Sequence, residues 1–121
     1  MSSVDELLDA NVHRVFGNRD SASRRAAIRE VYAQDVSFSD PEGSVTGWDA
    51  LEGKAAALLN GVPDSFVFAE DGPRYTADDF GALAWAFGPI GAPVARGIDV
   101  ITVRDGRIIE LRTALMAKPM A

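Results

Sequence analysis

Val94-Ala95-Arg96-Gly97-Ile98-Asp99-Val100-Ile101-Thr102-Val103-Arg104-Asp105-Gly106-Arg107-Ile108-Ile109-Glu110-Leu111-Arg112-Thr113-Ala114-Leu115-Met116 is the stretch that decides the fold. Two β-branched runs flank Asp105-Gly106, and a type I′ turn, which needs positive φ at both central residues, suits Asp-Gly. The stretch therefore reads as a long hairpin near the centre of a sheet. Side chains alternate along a strand, so Asp99 shares a face with Gly97, Ile101 and Val103. If that face is covered, a carboxyl lies among apolar groups, which is costly unless the group is protonated or paired. Gly97 on the same face leaves space for a ligand. The alternatives for Asp99 are a salt bridge to Arg96 or Arg112, or a place on an outer, solvated sheet surface. The same alternation puts Arg112 on the face of Ile108, Glu110 and Met116.

Upstream of the hairpin, Gly81 to Gly88 sets Leu83, Trp85 and Phe87 against Ala82, Ala84 and Ala86. One face is large and aromatic; the other is small and suits close packing against a helix or a second subunit. Ser65 to Glu70 is a strand with Phe66 and Phe68 on one face, followed by a turn at Asp71-Gly72-Pro73 and a polar connector or edge strand over Arg74 to Asp79. Trp48 to Asn60 has a helical stripe of Leu51, Ala55, Leu58 and Leu59, with Thr46 as cap and Gly61 as stop. Before it, Asp35 to Asp40 alternates as a half-buried strand, with Val36, Phe38 and Asp40 on one face. The strand ends at Asp40-Pro41-Glu42-Gly43, a type I turn with Pro second and Gly fourth.

The beginning of the chain is helical. Val4, Leu7, Leu8, Val12, Val15 and Phe16 form one stripe at helical spacing, opened by a Ser3–Glu6 capping box and closed by Gly17. His13 lies opposite that stripe and reads as a solvated side chain. A second helix spans about Ser23 to Ala33 and buries Ala27, Ile28, Val31 and Tyr32. Lys118 to Ala121 reads as a frayed end.

The 121 residues suit one domain over 1–121. Helices followed by a run of strands point to an α+β architecture: a curved antiparallel sheet with three helices against its concave side and a pocket between them. The net charge of −6 speaks against nucleic acid and anionic membrane surfaces as partners. Without cysteine there is no thiolate metal site and no disulfide, and a single histidine excludes a multi-histidine site, so no metal and no cofactor is expected. There is no apolar run of membrane-spanning length and no signal-peptide core, so the cytoplasm is the expected location.

Two segments carry a resemblance to a known family. Ser39-Asp40-Pro41-Glu42-Gly43-Ser44 is similar to the acidic Asp-Pro-x-Gly-Ser segment of bacterial ketosteroid isomerases, and Arg96-Gly97-Ile98-Asp99 resembles their x-Pro-Ile-Asp. Thr46-Gly47-Trp48-Asp49-Ala50-Leu51 is similar to the start of the third helix in the nuclear transport factor 2-like superfamily. The element order resembles that superfamily over nearly the whole chain, which implies its cone-shaped, cystatin-like α+β barrel. The SnoaL-like polyketide cyclases share the fold. In the isomerases a tyrosine of the first helix completes the oxyanion hole; the corresponding His13-Arg14-Val15-Phe16 has none.

The resemblance implies that Asp40 is a general base and Asp99 a protonated hydrogen-bond donor. Proton transfer next to a carbonyl needs such a pair, a base at the C–H and a donor where charge develops on oxygen. The expected substrate is a small hydrophobic carbonyl compound, isomerised or cyclised. Phe16, Tyr32, Phe38, Phe66, Phe68, Trp85, Phe87, Ile101 and Met116 are the candidates for the apolar wall. The alternative is a domain of the same fold that binds a small molecule, or dimerises, without chemistry. The alanine face and the resemblance both point to a homodimer.

Overall fold

The computed structural model describes residues 3–117. The expected frayed end at Lys118–Ala121 lies outside the described residues. Helix α1 (Val4–Ala10) opens with the Ser3–Glu6 capping box and runs directly into a π-helical segment (Asn11–Phe16) that ends at Gly17. Helix α2 (Ser21–Val31) is capped by Asp20, whose side chain accepts from the Ser23 N–H. The chain continues as β1 (Tyr32–Asp40), β2 (Gly43–Thr46), α3 (Trp48–Asn60), β3 (Val67–Glu70), β4 (Tyr75–Thr76), β5 (Phe80–Gly88), β6 (Ala95–Arg104) and β7 (Arg107–Leu115).

The strands form one curved, unclosed sheet in the order β2-β1-β7-β6-β5-β3, with β4 also on β5. The central hairpin β6–β7 is antiparallel and turns at Asp105 (φ 54°) and Gly106 (φ 76°), both positive as a type I′ turn requires. Strands β3, β5, β6 and β7 pair antiparallel in that order, whereas β1 lies parallel to β7. Leu8 of α1, Val15 of the π segment, Ile28 and Val31 of α2 and Leu51 of α3 are buried in one core with Leu83, Ile101, Ile108 and Leu111 of the sheet. No helix among the described residues is long and apolar enough to cross a membrane.

Three details depart from simple periodicity. The first helix is not α-helical to its end. The π segment closes with the Gly17 N–H donating to the Val12 carbonyl at 2.6 Å. A Cβ on residue 17 would lie only 2.7 Å from that carbonyl, so glycine is needed for the close approach. π segments occur often at functional sites, and this one supplies three residues to the site described below. Second, α3 has Gly47 rather than Thr46 at its cap, at φ 96° and without a side-chain capping bond. Third, β7 carries a bulge. Arg104 faces Arg107 and Val103 faces Ile108, but Thr102 faces Glu110, so Ile109 is the extra residue. A one-residue slip exchanges the two faces of a strand. Beyond the bulge Leu111 is buried, Arg112 is exposed and lies opposite Val100, and Asp99 is opposite Thr113. The expected grouping of Arg112 with Ile108 is thereby corrected.

Candidate functional site

A single cavity of about 510 Å³ opens between α3, the π segment and the inner face of the sheet, and both carboxyls line it. Val12 and Phe16 come from the π segment, Phe38 and Asp40 from β1, and Lys54, Ala57 and Leu58 from α3. Phe68, Trp85 and Phe87 come from β3 and β5; Ala95, Asp99, Thr113 and Leu115 from the hairpin; Pro41 and Glu42 sit at the β1–β2 turn. The wall is mainly aromatic. Phe68 stacks on Phe87 with centroids 4.3 Å apart and meets Trp85 edge-on at 5.2 Å, while Phe16 and Phe38 lie 5.7 Å apart.

Asp40 stands at the end of β1, where Pro41 and Glu42 reverse the chain into β2. Its Oδ1 accepts the Glu42 N–H at 2.9 Å, the local bond that makes Asp favourable at such a turn. Its Oδ2 lies 3.5 Å from Lys54 Nζ, which also reaches Glu42 Oε1 at 3.4 Å. With 15% of its side chain exposed, Asp40 sits between the cavity and solvent.

Asp99 is in the opposite situation. It is 6% exposed and has no cation within ion-pair distance among the described residues; Arg96 instead pairs with Asp71 at 2.7 Å. Three side chains donate to it. Trp85 Nε1 at 3.0 Å and Thr113 Oγ1 at 2.7 Å reach Oδ1, and Asn11 Nδ2 at 2.7 Å reaches Oδ2. Behind Asn11, the Tyr32 hydroxyl donates to Asn11 Oδ1 in a short contact. Burial pushes Asp99 above the ordinary carboxylate range, and the bonds from Thr113, Trp85 and Asn11 pull the other way without cancelling the rise. Tyr32 is pushed well above its ordinary value by burial and by the nearby Asp99 charge.

A count of valences shows what Asp99 can do. The carboxyl oxygens offer four lone-pair positions between them, and three are taken. In the neutral acid, Oδ1 accepts from Trp85 and Thr113, Oδ2 accepts from Asn11, and one O–H remains to donate. The three donors are therefore compatible with either proton state.

The expected space beside Gly97 is occupied. Trp85 is its cross-strand partner, and a Cβ on residue 97 would come within 2.5 Å of Trp85 Cζ2 and 2.7 Å of the Ala114 carbonyl. The missing side chain lets the indole lie across the strand, where Nε1 reaches Asp99. Gly97→Ala is expected to push the indole aside and cost about 1–3 kcal/mol by overpacking. Urea unfolding measures the loss, and the Trp85 indole N–H resonance reports the broken bond to Asp99.

Of the nine residues expected at the wall, Phe16, Phe38, Phe68, Trp85 and Phe87 line the cavity. Four lie elsewhere. Tyr32 is fully buried behind Asn11, and Ile101 belongs to the core under the helices. Phe66 packs edge-on behind Phe87 at 5.5 Å. Met116 is 57% exposed, because the β7 bulge leaves the odd-numbered residues facing inward past Ile109. Three site residues escaped the sequence reading. Asn11 was visible as a polar residue inside the stripe, four after Leu7 and three after Leu8. Lys54 lies on the third helix, beside the Leu51–Leu58 stripe. Thr113 had no signal of its own, since its place depends on the bulge.

The sequence profile of the SnoaL-like domain family matches residues 10–111. A search of curated proteins found no match. Among solved structures, a candidate isomerase of the SnoaL-like family from Agrobacterium tumefaciens superposes with a TM-score of 0.85 at 21% identity, over 94% of this chain and 97% of that one. A candidate SnoaL-like polyketide cyclase from Jannaschia gives 0.76 at 18% identity, over 92% and 83%. A candidate ketosteroid isomerase from Kribbella flavida gives 0.69 at 14% identity, over 95% and 78%. At these identities the likeness is one of fold.

Proposed function

The chain belongs to the SnoaL-like domain family, within the nuclear transport factor 2-like superfamily, and we propose that it catalyses cofactor-independent proton transfer on a small hydrophobic carbonyl compound. One observation carries the proposal: two carboxyls of unlike surroundings line one aromatic cavity, Asp40 at its rim and Asp99 sealed in its floor. In this reading Asp40 takes a proton from the carbon next to the carbonyl. The C–H electron pair moves into the enolate, and the Asp99 O–H donates to the oxygen on which charge gathers. Return of the proton from Asp40 to a different carbon completes an isomerisation; in a cyclisation the enolate carbon bonds to a second carbonyl carbon, the π electrons of that carbonyl move onto its oxygen, and the proton held by Asp40 passes to that alkoxide. Fixed donors in a dry site cost little reorganisation as charge develops, which is why a floor with Trp85, Thr113 and Asn11 already aimed at Asp99 suits the chemistry.

A second reading, a binding domain without chemistry, is favoured by Lys54, which holds the Asp40 carboxyl in an ion pair across the cavity rim. α-Proton exchange of β-tetralone in deuterated water separates the two. Exchange accelerated well above the buffer rate, and inhibited by a ligand that fills the cavity, is the expected result. Saturable binding with exchange at the buffer rate would favour the second reading instead.

The same proposal includes a homodimer in the cytoplasm. Ala82, Ala84 and Ala86 with Ile98 form a low, partly exposed apolar patch on the outer face of β5 and β6, opposite the cavity. Such a face suits a second copy of the sheet.

A further inference from the structure

Asp99 and Thr113 are cross-strand partners in β6 and β7, and both line the cavity. Thr113 Oγ1 stands 2.7 Å from Asp99 Oδ1, so a carboxyl and a hydroxyl lie side by side in the floor. Among the described residues that line the cavity, Thr113 bears the only hydroxyl. The other donors are committed. Trp85 has a single indole N–H, and Asp99 Oδ1 takes it. Asn11 is sealed behind the floor, between Asp99 Oδ2 and the Tyr32 hydroxyl. Lys54 is at the rim, between Asp40 and Glu42.

The Thr113 hydroxyl is the donor that can change partner, because an O–H rotates about its C–O bond without moving a heavy atom. Opposite an Asp99 carboxylate it stays on Oδ1, which shares the charge. Opposite the neutral acid, that oxygen is a weaker acceptor and Trp85 already serves it. An enolate oxygen in the cavity is charged, and hydrogen bonds to a charged acceptor are roughly twice as strong as neutral ones. The Thr113 O–H then gains by turning to the ligand, and the turn strands no buried group. Oδ1 keeps Trp85, Oδ2 keeps Asn11, and Tyr32 still donates to Asn11.

We propose that Thr113 is a second catalytic donor, whose hydroxyl turns from Asp99 to the ligand oxygen as charge gathers there, so that the acid O–H and the hydroxyl hold that oxygen together. This deepens the proton-transfer reading and rests on it. The hydroxyl gains most when the oxygen is charged, so its main effect falls on the transition state rather than on binding of the neutral ketone.

Thr113→Val keeps the shape of the side chain and removes the hydroxyl. In the ligand-free protein Thr113 donates to Asp99 and draws its pKa down, so the variant holds a larger share of the neutral acid. A hydroxyl that only supported Asp99 would therefore leave ligand affinity and exchange unchanged or improved. A donor to the ligand gives the opposite sign. In Thr113→Val, kcat for α-proton exchange of β-tetralone should fall by about 10²-fold while KM changes by less than about threefold. β-Naphthol, a hydroxy-aromatic that resembles the enol, should bind about fivefold more weakly. Thr113→Ser, which keeps the hydroxyl, should recover most of both. Trp85 and Asn11 still hold Asp99 in either variant, which the Trp85 indole N–H resonance follows. Exchange is compared over the same pH range for all three proteins, because Asp40, Glu42 and Lys54 also face the cavity. Unchanged or tighter naphthol binding in Thr113→Val, or a Thr113→Ser variant as weak as Thr113→Val, would overturn the proposal. Wild-type exchange at the buffer rate would instead sink the proton-transfer reading, and naphthol affinity would still decide whether Thr113 holds the ligand oxygen.

Discussion

Asp40→Asn is expected to slow α-proton exchange of β-tetralone by about 10²–10⁴-fold, the usual worth of a positioned general base. The substitution keeps the shape of the side chain, and its carbonyl oxygen can still accept the Glu42 N–H that sets the turn. What it removes is the ability to bind and release a proton. The Lys54 pair is lost too, but a partly solvated pair of this kind contributes only about 0–1 kcal/mol, so the fold should survive. Circular dichroism and urea unfolding establish that survival. A variant with wild-type exchange would remove Asp40 from the chemistry and leave it as a turn residue.

The second large effect concerns stability. Asp99→Leu leaves the indole N–H of Trp85 and the amide N–H of Asn11 aimed at a hydrocarbon, with the Thr113 hydroxyl beside them. Stranding buried donors is expected to cost about 3–5 kcal/mol in urea unfolding. Asp99→Asn, which keeps an acceptor for Trp85 and Thr113, should cost much less. The pair also separates shape from charge through pH. Burial raises Asp99 in the folded state, so the folded protein holds this proton more tightly than the unfolded chain. The stability this provides is complete below about pH 4, where an unfolded aspartate is also protonated. It is lost as pH rises through the raised folded midpoint. The wild type should therefore lose stability over that window relative to Asp99→Asn, with the difference flat above it. Parallel profiles for the two proteins would mean that Asp99 is not raised.

Much of this architecture follows from pattern. Asp105-Gly106 between β-branched runs specifies a turn with two positive φ values, and the alternation of Leu83, Trp85 and Phe87 specifies an inner face; both are local properties of the chain. The burial of Asp99 follows from the same alternation. Asp40 was legible for another reason, since Asp-Pro-x-Gly fixes both the turn and the end of the strand. The illegible parts are those where one residue's place depends on a distant segment. The bulge at Ile109 moves Thr113 into the site and Arg112 out of it, and nothing in the β7 sequence marks that residue as extra. Gly97 looked like ligand space, but its emptiness is used by the indole of Trp85 on the neighbouring strand. Asn11 was readable in the apolar stripe, yet its partner Asp99 lies at the other end of the chain. The π segment that aims it costs an ordinary helix a regular turn, which periodicity alone does not reveal.

The most direct measurement is a crystal structure with β-naphthol, a flat hydroxy-aromatic that mimics the enol of β-tetralone. The expected result is the naphthol oxygen within hydrogen-bond distance of Asp99, the rings between Phe16, Phe38, Phe68 and Trp85, and the ring carbon next to the hydroxyl facing Asp40. A naphthol bound with its oxygen at Lys54 and Glu42, and its rings away from Asp99, would contradict the division of labour between the two carboxyls.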